Sequence, residues 1–228
     1  MISVKNSGNY RALKEHALSS GAALFGVCRT DSLKKEFSEL SREALAGLDY
    51  AVSLGVPLSG KIVDGIEDHP TKLYFYHYKQ VNYLLDRLSL QVTKFIQEKN
   101  YSALPIPASQ VIDREKQRGH LSHREAAALA GLGWIGRSCL LVTPGYGARV
   151  RLVTVLTDFP LSADKALKKS CANCRRCITA CPAGAIRGKS EEFGRDRCFR
   201  QLDIFRNKYG IGHHICGLCV KACRGKGV

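Results

Sequence analysis

Hydrophobic and polar positions follow two different periods along the first 160 residues. Over 8 to 20 (GNYRALKEHALSS) apolar side chains recur at helical spacing, and ALFGVC at 23 to 28 is apolar throughout, as a short buried strand is. A second helix is expected over about 31 to 46, followed by DYAVSLGVP, an apolar run that stops at Pro57. The longest periodic segment is 71 to 99, TKLYFYHYKQVNYLLDRLSLQVTKFIQEK. It predicts one amphipathic helix with Leu84, Leu88, Val92 and Phe95 on its inner face. After the proline-containing link ALPIPAS, Ser122 with Glu125 three residues on marks the capped start of a helix that runs to Ala130. Gly131, Gly133 and Gly136 then break the chain into turns. CLLVT and ARVRLVTVLTD predict two β-rich runs, neighbours across the PGYG turn. The pattern is that of an α+β domain over 1–163, a sheet covered by helices, with 164–228 as a smaller second domain.

At 228 residues and 45% hydrophobic, the chain is long enough to bury a sizeable core. No stretch approaches ~18 consecutive apolar residues, and MISVKNSGNYRALKEH has no apolar run behind its charges like that of a secretory signal. A cytoplasmic protein with no membrane partner is expected. That location changes how the ten cysteines are read. Cys28 and Cys139 stand alone, as buried small apolar residues do, while the other eight crowd into 171 to 223. Without export, metal is a better account of them than disulfides. Charge is equally uneven: 161 to 228 carries +10 of the net +15. Such a basic segment suits a polyanionic partner such as nucleic acid, and it equally suits compensation of negatively charged metal clusters.

The stretch CANCRRCITACPAGAI, 171 to 186, spaces Cys171, Cys174, Cys177 and Cys181 as C-x2-C-x2-C-x3-C, with Pro182 next. In two-cluster bacterial ferredoxins the first three cysteines of such a run ligate one cube, and the cysteine before proline ligates its neighbour. Cys198, Cys216, Cys219 and Cys223 supply four further thiolates downstream. The resulting assignment is Cys171, Cys174, Cys177 and Cys223 to one [4Fe-4S] cluster, and Cys181, Cys198, Cys216 and Cys219 to the other. Tetrahedral zinc is the rival for paired CxxC units, and the run ending in Cys-Pro favours iron. Arg224 follows Cys223 where ferredoxins usually have proline. Arg175, Arg176, Arg187 and Lys221 lie near the ligands in sequence, as charge balance or as a docking rim for an acidic donor. His213 and His214 precede Cys216 and are placed to modulate a cluster without ligating it.

Directly before this module stands AGLGWIGRSCLLVTPGYGARVRLVTVLTDFPL, 130 to 161. Together with the cysteine pattern it resembles the epoxyqueuosine reductase family, tRNA-modifying enzymes similar in plan to the corrinoid reductive dehalogenases. The resemblance implies a nitroreductase-related, corrinoid-binding-type domain with a C-terminal two-cluster ferredoxin-like module. By that resemblance the cofactors are two [4Fe-4S] clusters and cobalamin, and the clusters pass electrons to the corrinoid for reduction of a substrate. It further implies an electron donor such as ferredoxin or flavodoxin, and a tRNA or corrinoid-protein partner. Two alternatives accompany it: a non-catalytic electron carrier for a separate corrinoid or metalloenzyme, and a true tRNA epoxyqueuosine reductase.

Gly131, Gly133, Gly136 and Arg137 match the family's AGLGWIGK loop, with arginine for lysine, and are the cofactor-binding candidates together with Tyr78. A tight turn is their plain alternative. Tyr74, Tyr76, His77 and Tyr78 form an aromatic cluster whose faces suit a corrin ring and whose Tyr76 hydroxyl suits proton donation. A helix face packed on a sheet is the alternative. The family carries an Asp-Ser/Thr-x-Pro-x-x-x-Glu-like stretch before the loop, where this chain reads ASQVIDREKQRGHLSHREAAALAGLG. Aligned without a gap, the aspartate position falls on Gln117 and the proline on His120. Asp113 and His120 are therefore the candidate general acids, among Arg114, Glu115 and His123.

Overall fold

The computed structural model describes residues 2–33, 37–113 and 118–225, with side chains from Asn6 onward. In chain order its elements are α1 (Ile2–Ser19), β1 (Leu24–Arg29), a 3-10 turn (Thr30–Leu33), α2 (Arg42–Leu45), β2 (Tyr50–Pro57), α3 (Gly60–Asp64), α4 (Lys72–Gln97) and β3 (Ala103–Ile106). They continue with α5 (His123–Leu129), β4 (Trp134–Ile135), β5 (Leu141–Val142), β6 (Val150–Thr157), α6 (Arg176–Thr179), α7 (Arg195–Tyr209) and α8 (Leu218–Ala222). The chain divides into two compact units that interleave in sequence, 1–56 with 82–132 and 151–167, and 57–81 with 133–150 and 168–228. The sequence pattern draws a single boundary after 163.

The first unit is built on a four-stranded sheet in the order β1-β2-β6-β3. β1 and β2 are antiparallel with Val27 opposite Val52, and β3 and β6 are antiparallel with Leu104 opposite Leu156. The central strands are buried along almost their whole length and are mostly apolar, with Ser53, Thr154 and Thr157 as buried polar positions. One part of the core joins Cys28, Leu33, Ala51, Ile106, Ala126 and Leu156. Asp164 latches the end of this unit: its carboxylate accepts from the Tyr10 hydroxyl at 3.0 and 3.1 Å and from Val27 N at 2.8 Å. Burial, reinforced by Asp164, pushes the Tyr10 hydroxyl up to about 12.

Four local expectations change. The strand β3 forms within ALPIPAS, where the prolines suggest only a link. It lies at the sheet edge, where Pro105 interrupts no interior ladder. The helix expected over 31 to 46 is a 3-10 turn and the short α2, and residues 34 to 36 of that span lie outside the described residues. The chain is restarted there, because Glu39 takes φ 55° and Ser41 caps α2 by accepting from Ala44 N at 3.1 Å. On α4 the buried stripe is Val81, Leu85, Leu88, Val92 and Ile96, while Leu84 is 38% exposed and Phe95 only half-buried. Leu84 and Leu85 are adjacent, so apolarity alone leaves the helix phase open by one residue. Finally, β5 pairs with β4, Trp134 opposite Val142, while β6 joins the large sheet. The PGYG turn closes only the Thr143–Gly147 bridge.

Ser122 does cap α5, accepting from Glu125 N at 3.4 Å. This places His123 with both ring nitrogens engaged: Nε2–H donates to Pro107 O at 3.0 Å and Nδ1 accepts from the Thr154 hydroxyl at 2.9 Å. Burial pulls its pKa from 6.5 to about 4, with Arg151 adding to the drop and the Pro107 bond opposing it. The unfolded chain therefore binds a proton here before the folded one does. Stability from this site is complete above pH 6.5 and is lost as pH falls from 6.5 toward 4. The full effect is at most about 3 kcal/mol. In urea titrations the fall in stability between pH 7.5 and 4.5 is expected to be smaller in His123→Gln than in wild type. Equal falls would show that another group carries it.

The second unit has little regular structure: the β4–β5 hairpin, the start of α4, and the short helices α3, α6 and α8 beside α7. Its apolar side chains include Ile66, Trp134, Ile186, Phe205, Ile211 and Leu218. A unit of this kind generally needs staples to be stable. Gly217, at φ 86°, shows how tightly it is assembled, since a Cβ there would sit 2.6 Å from Ile66 Cδ1 and 2.8 Å from Tyr74 Cε1.

Candidate functional site

All eight clustered cysteines fall in the second unit. Cys177 sits on α6, Cys198 on α7 and Cys219 on α8. Cys171 and Cys174 lie on a turn closed by Cys174 N donating to Cys171 O at 2.9 Å. The fold brings the thiols into two neighbourhoods. Burial pushes Cys177 up to about 11, and the adjacent Cys171, Cys223 and Cys174 add to the shift. Burial likewise pushes Cys216 up to about 11, next to Cys198 and Cys181. Cys219 is raised further by burial, then by Cys216, Cys198, Cys177 and Cys181. Cys177 and Cys219 thus join the two neighbourhoods. Thiols raised in this way are protonated at neutral pH in the metal-free chain, so metal loading would release protons.

Among the described residues, no three His, Cys, Asp or Glu side chains converge tightly enough for a single metal ion. Two groups of four thiols, from the buried Cys177 to the exposed Cys174, fit a pair of four-iron cubes in number and chemistry.

The β4–β5 hairpin and the turn after it hold the first neighbourhood at both ends. A Cβ on Gly136 would lie 3.3 Å from Cys171 Sγ. Arg137 donates from Nε to Cys174 O at 3.1 Å and from its guanidinium to Ala172 O. At the other end, a Cβ on Gly147 would lie 2.3 Å from Cys223 O. Arg149, with a side chain only 10% exposed, donates to Lys221 O at 2.6 Å and to Asp64 Oδ1 at 2.8 Å. Asp64 also meets Arg224 at 3.0 Å. The Arg149 hydrogen bond, followed by the charges of Arg149, Arg224 and Lys221, holds its carboxyl below the usual range. Arg137→Gln is expected to leave the fold intact and to speed iron loss to a chelator several-fold, with Arg137→Lys intermediate. Unchanged loss rates would remove Arg137 from the site.

The remaining sequence candidates divide between the units. Gly131, at φ 74°, has its open side filled by Lys165 O, which would lie 2.7 Å from an added Cβ. Gly133 meets Val142 O at 2.2 Å, and Gly136 meets Val142 Cγ2 at 2.6 Å. Close packing of the chain on itself therefore accounts for all three glycines, and Arg137 reaches the cysteine turn. In the second unit Tyr76 is 61% exposed, while Tyr78 is half-buried with its ring near Tyr74 and His213. His77 Nε2 accepts from Ser59 N at 2.9 Å, and burial lowers its pKa. His214 pairs with Asp203 at 2.7 Å and stacks on Phe199. In the first unit Asp113 and Arg118 form a two-residue bridge, and His120 Nδ1–H donates to Ser38 O at 3.1 Å. Arg114, Glu115 and Gln117 lie outside the described residues. Sequence patterns miss Arg149 and Gly147, because ARVRLVTV reads as an ordinary strand and PGYG as an ordinary turn.

No protein-family model matches the chain. The chain is 33% identical over 113 residues to the epoxyqueuosine reductase of Bacillus subtilis (strain 168), 46% of this chain and 29% of that enzyme. It is 39% identical over 112 residues to that of Yersinia pestis, 45% of this chain and 27% of the enzyme. The match thus spans less than a third of these curated relatives. Among solved structures, 96% of the chain superposes on a reductive dehalogenase described for B12-dependent dehalogenation, with TM-score 0.76 and 20% identity, covering 32% of that chain. An epoxyqueuosine reductase solved with an epoxyqueuosine-modified tRNA-Tyr stem loop superposes on 95% of the chain, with TM-score 0.67 and 22% identity, covering 65% of that enzyme. Among the described residues no helix is long and apolar enough to cross a membrane. In sequence the chain resembles the epoxyqueuosine reductases, and in fold it resembles both these enzymes and the reductive dehalogenases.

Proposed function

We propose that the chain is an epoxyqueuosine reductase-like oxidoreductase in which residues 164–228 hold two [4Fe-4S] clusters that act as an electron relay. The observation that carries this is the sorting of eight cysteines into two neighbourhoods joined through Cys177 and Cys219. Cys171, Cys174, Cys177 and Cys223 would hold one cluster, and Cys181, Cys198, Cys216 and Cys219 the other. When bound, each cluster would supply one-electron chemistry. The protein's part is to fix the thiolates, to shield them from water and to surround the anionic cubes with positive charge. Arg137 and Arg149 do the first by gripping the backbone beside Cys174 and Cys223.

For the acceptor we propose a corrinoid, supported by the fold shared with a B12-dependent dehalogenase. When bound, a corrinoid supplies a low-valent cobalt able to reduce difficult substrates. The loop expected to cradle it does not fit that role: Gly131, Gly133 and Gly136 are filled by the protein's own atoms. Asp113, His120 and Tyr76 stand as candidate proton donors to the substrate in the same proposal, with tRNA, a corrinoid protein, and ferredoxin or flavodoxin as candidate partners.

Anaerobic reconstitution followed by iron and sulfide analysis tests the relay. About eight irons and eight sulfides per chain are expected for two cubes, and stoichiometric zinc in their place would refute it. Addition of cob(II)alamin tests the acceptor. A changed cobalt paramagnetic resonance spectrum supports a bound corrinoid, and an unchanged one assigns the chain to electron delivery for a separate enzyme.

A further inference from the structure

We infer that the outward face of α7 is the docking surface for a small acidic one-electron carrier protein, and that electrons enter through the cluster of Cys181, Cys198, Cys216 and Cys219. This rests on the proposal that those cysteines hold a cluster.

Helical spacing puts Arg197, Arg200, Ile204 and Lys208 along one face of α7. All four are exposed, Ile204 to 53%. Among the described residues neither arginine forms an ion pair. Cys198, next in sequence to Arg197, lies on the flank of the same helix, near Cys181, on the side where Phe205 is buried. A helix with its side chains is about 10–12 Å across, so a carrier on the outer face sits within about one helix width of the Cys198 sulfur.

The surface has an apolar centre and a cationic rim, the anatomy of a protein interface. A face that tracks nucleic-acid phosphates is made of basic and polar contacts and has no use for an exposed isoleucine. An acidic carrier supplies the complementary rim, and long-range attraction raises its encounter rate. The transfer balances by itself: the reduced carrier loses one electron, the oxidised cluster gains it, and no bond or proton moves.

The test is anaerobic stopped-flow reduction of the reconstituted full chain by a reduced plant-type [2Fe-2S] ferredoxin, the acidic probe. Dithionite serves as the small reductant that needs no docking. Double reversal, Arg197→Glu with Arg200→Glu, is expected to slow ferredoxin reduction at least tenfold and to flatten its salt dependence. Ile204→Ser is expected to slow it about threefold. Dithionite rates and iron content stay at wild-type values, and the charge-matched control Arg11→Glu with Arg87→Glu reacts normally. Wild-type ferredoxin rates in the double reversal, or equal slowing in the control, would overturn the inference. So would loss of RNA stem-loop binding with unchanged ferredoxin rates, which would make this an RNA face. Failure of dithionite to bleach the wild-type protein, seen before any ferredoxin is mixed, would instead remove the underlying cluster proposal.

Discussion

Cys219→Ser is expected to release one whole cluster and keep the other, lowering iron from about eight to about four per chain. Cys219 is the cysteine with neighbours in both groups, and burial dominates its environment. Serine cannot replace its thiolate there, because a hydroxyl is a poor iron ligand and stays protonated. Cys171, Cys174, Cys177 and Cys223 are not altered by the change and should retain their cube. Cys28→Ser is the matched control, since Cys28 is buried in the core of the first unit and burial pushes its thiol up to about 12. It should keep all the iron, whatever it does to stability. Iron analysis with visible absorption separates the two results. Complete loss of iron in Cys219→Ser would mean that the cubes assemble only together, and full retention would remove Cys219 from the ligand set.

Gly147→Ala should be a strongly damaging addition of a single methyl group. Gly147 is at φ 61°, and an added Cβ would meet Cys223 O at 2.3 Å and Gly225 N at 2.5 Å. Both are backbone atoms, so no side chain can swing aside. Left-handed strain for alanine costs about 1–2 kcal/mol, and the clash must add to it by displacing the segment that carries Cys223. A loss of about 3 kcal/mol or more is expected, in the range reserved for named structural faults. Iron at the Cys223 set should fall with it. Gly145, two residues earlier in the same turn, has nothing within 4 Å of its Cβ position, and Gly145→Ala should behave as wild type. Thermal denaturation of the two reconstituted variants, followed by absorption, distinguishes them. Equal melting temperatures would show that the turn adjusts freely.

Much of the architecture is legible in the sequence where the signal is local and strong. The runs around Val27 and Val52 are apolar for longer than any half-exposed strand, and they occupy β1 and the interior strand β2. Ser122 and Glu125 announce the start of α5 because the hydroxyl satisfies an orphan amide. Other features depend on partners far away in the chain. β3 forms despite two prolines in its stretch because β6 lies beside it. The adjacent leucines 84 and 85 leave the phase of α4 to be decided by packing.

The site divides in the same way. The spacing of the cysteines is informative where they crowd, at Cys171, Cys174 and Cys177 and again at Cys216 and Cys219, while Cys181, Cys198 and Cys223 join their groups only through the fold. Their role as ligands is a proposal. Arg149 and Gly147 carry no such signal, since a buried arginine is recognisable only once Asp64 and Lys221 O are seen opposite it. Gly133 and Gly136 look like a ligand-binding loop in sequence, and they prove to be where Val142 packs.

The central claim, two adjacent cubes forming one relay, is tested most directly by electron paramagnetic resonance of the anaerobically reduced protein. The expected spectrum integrates to about two spins per chain, is broadened by magnetic coupling between neighbouring clusters, and simplifies to one uncoupled signal in Cys219→Ser. A single uncoupled spin in the wild-type protein, or a silent, zinc-loaded one, would contradict it.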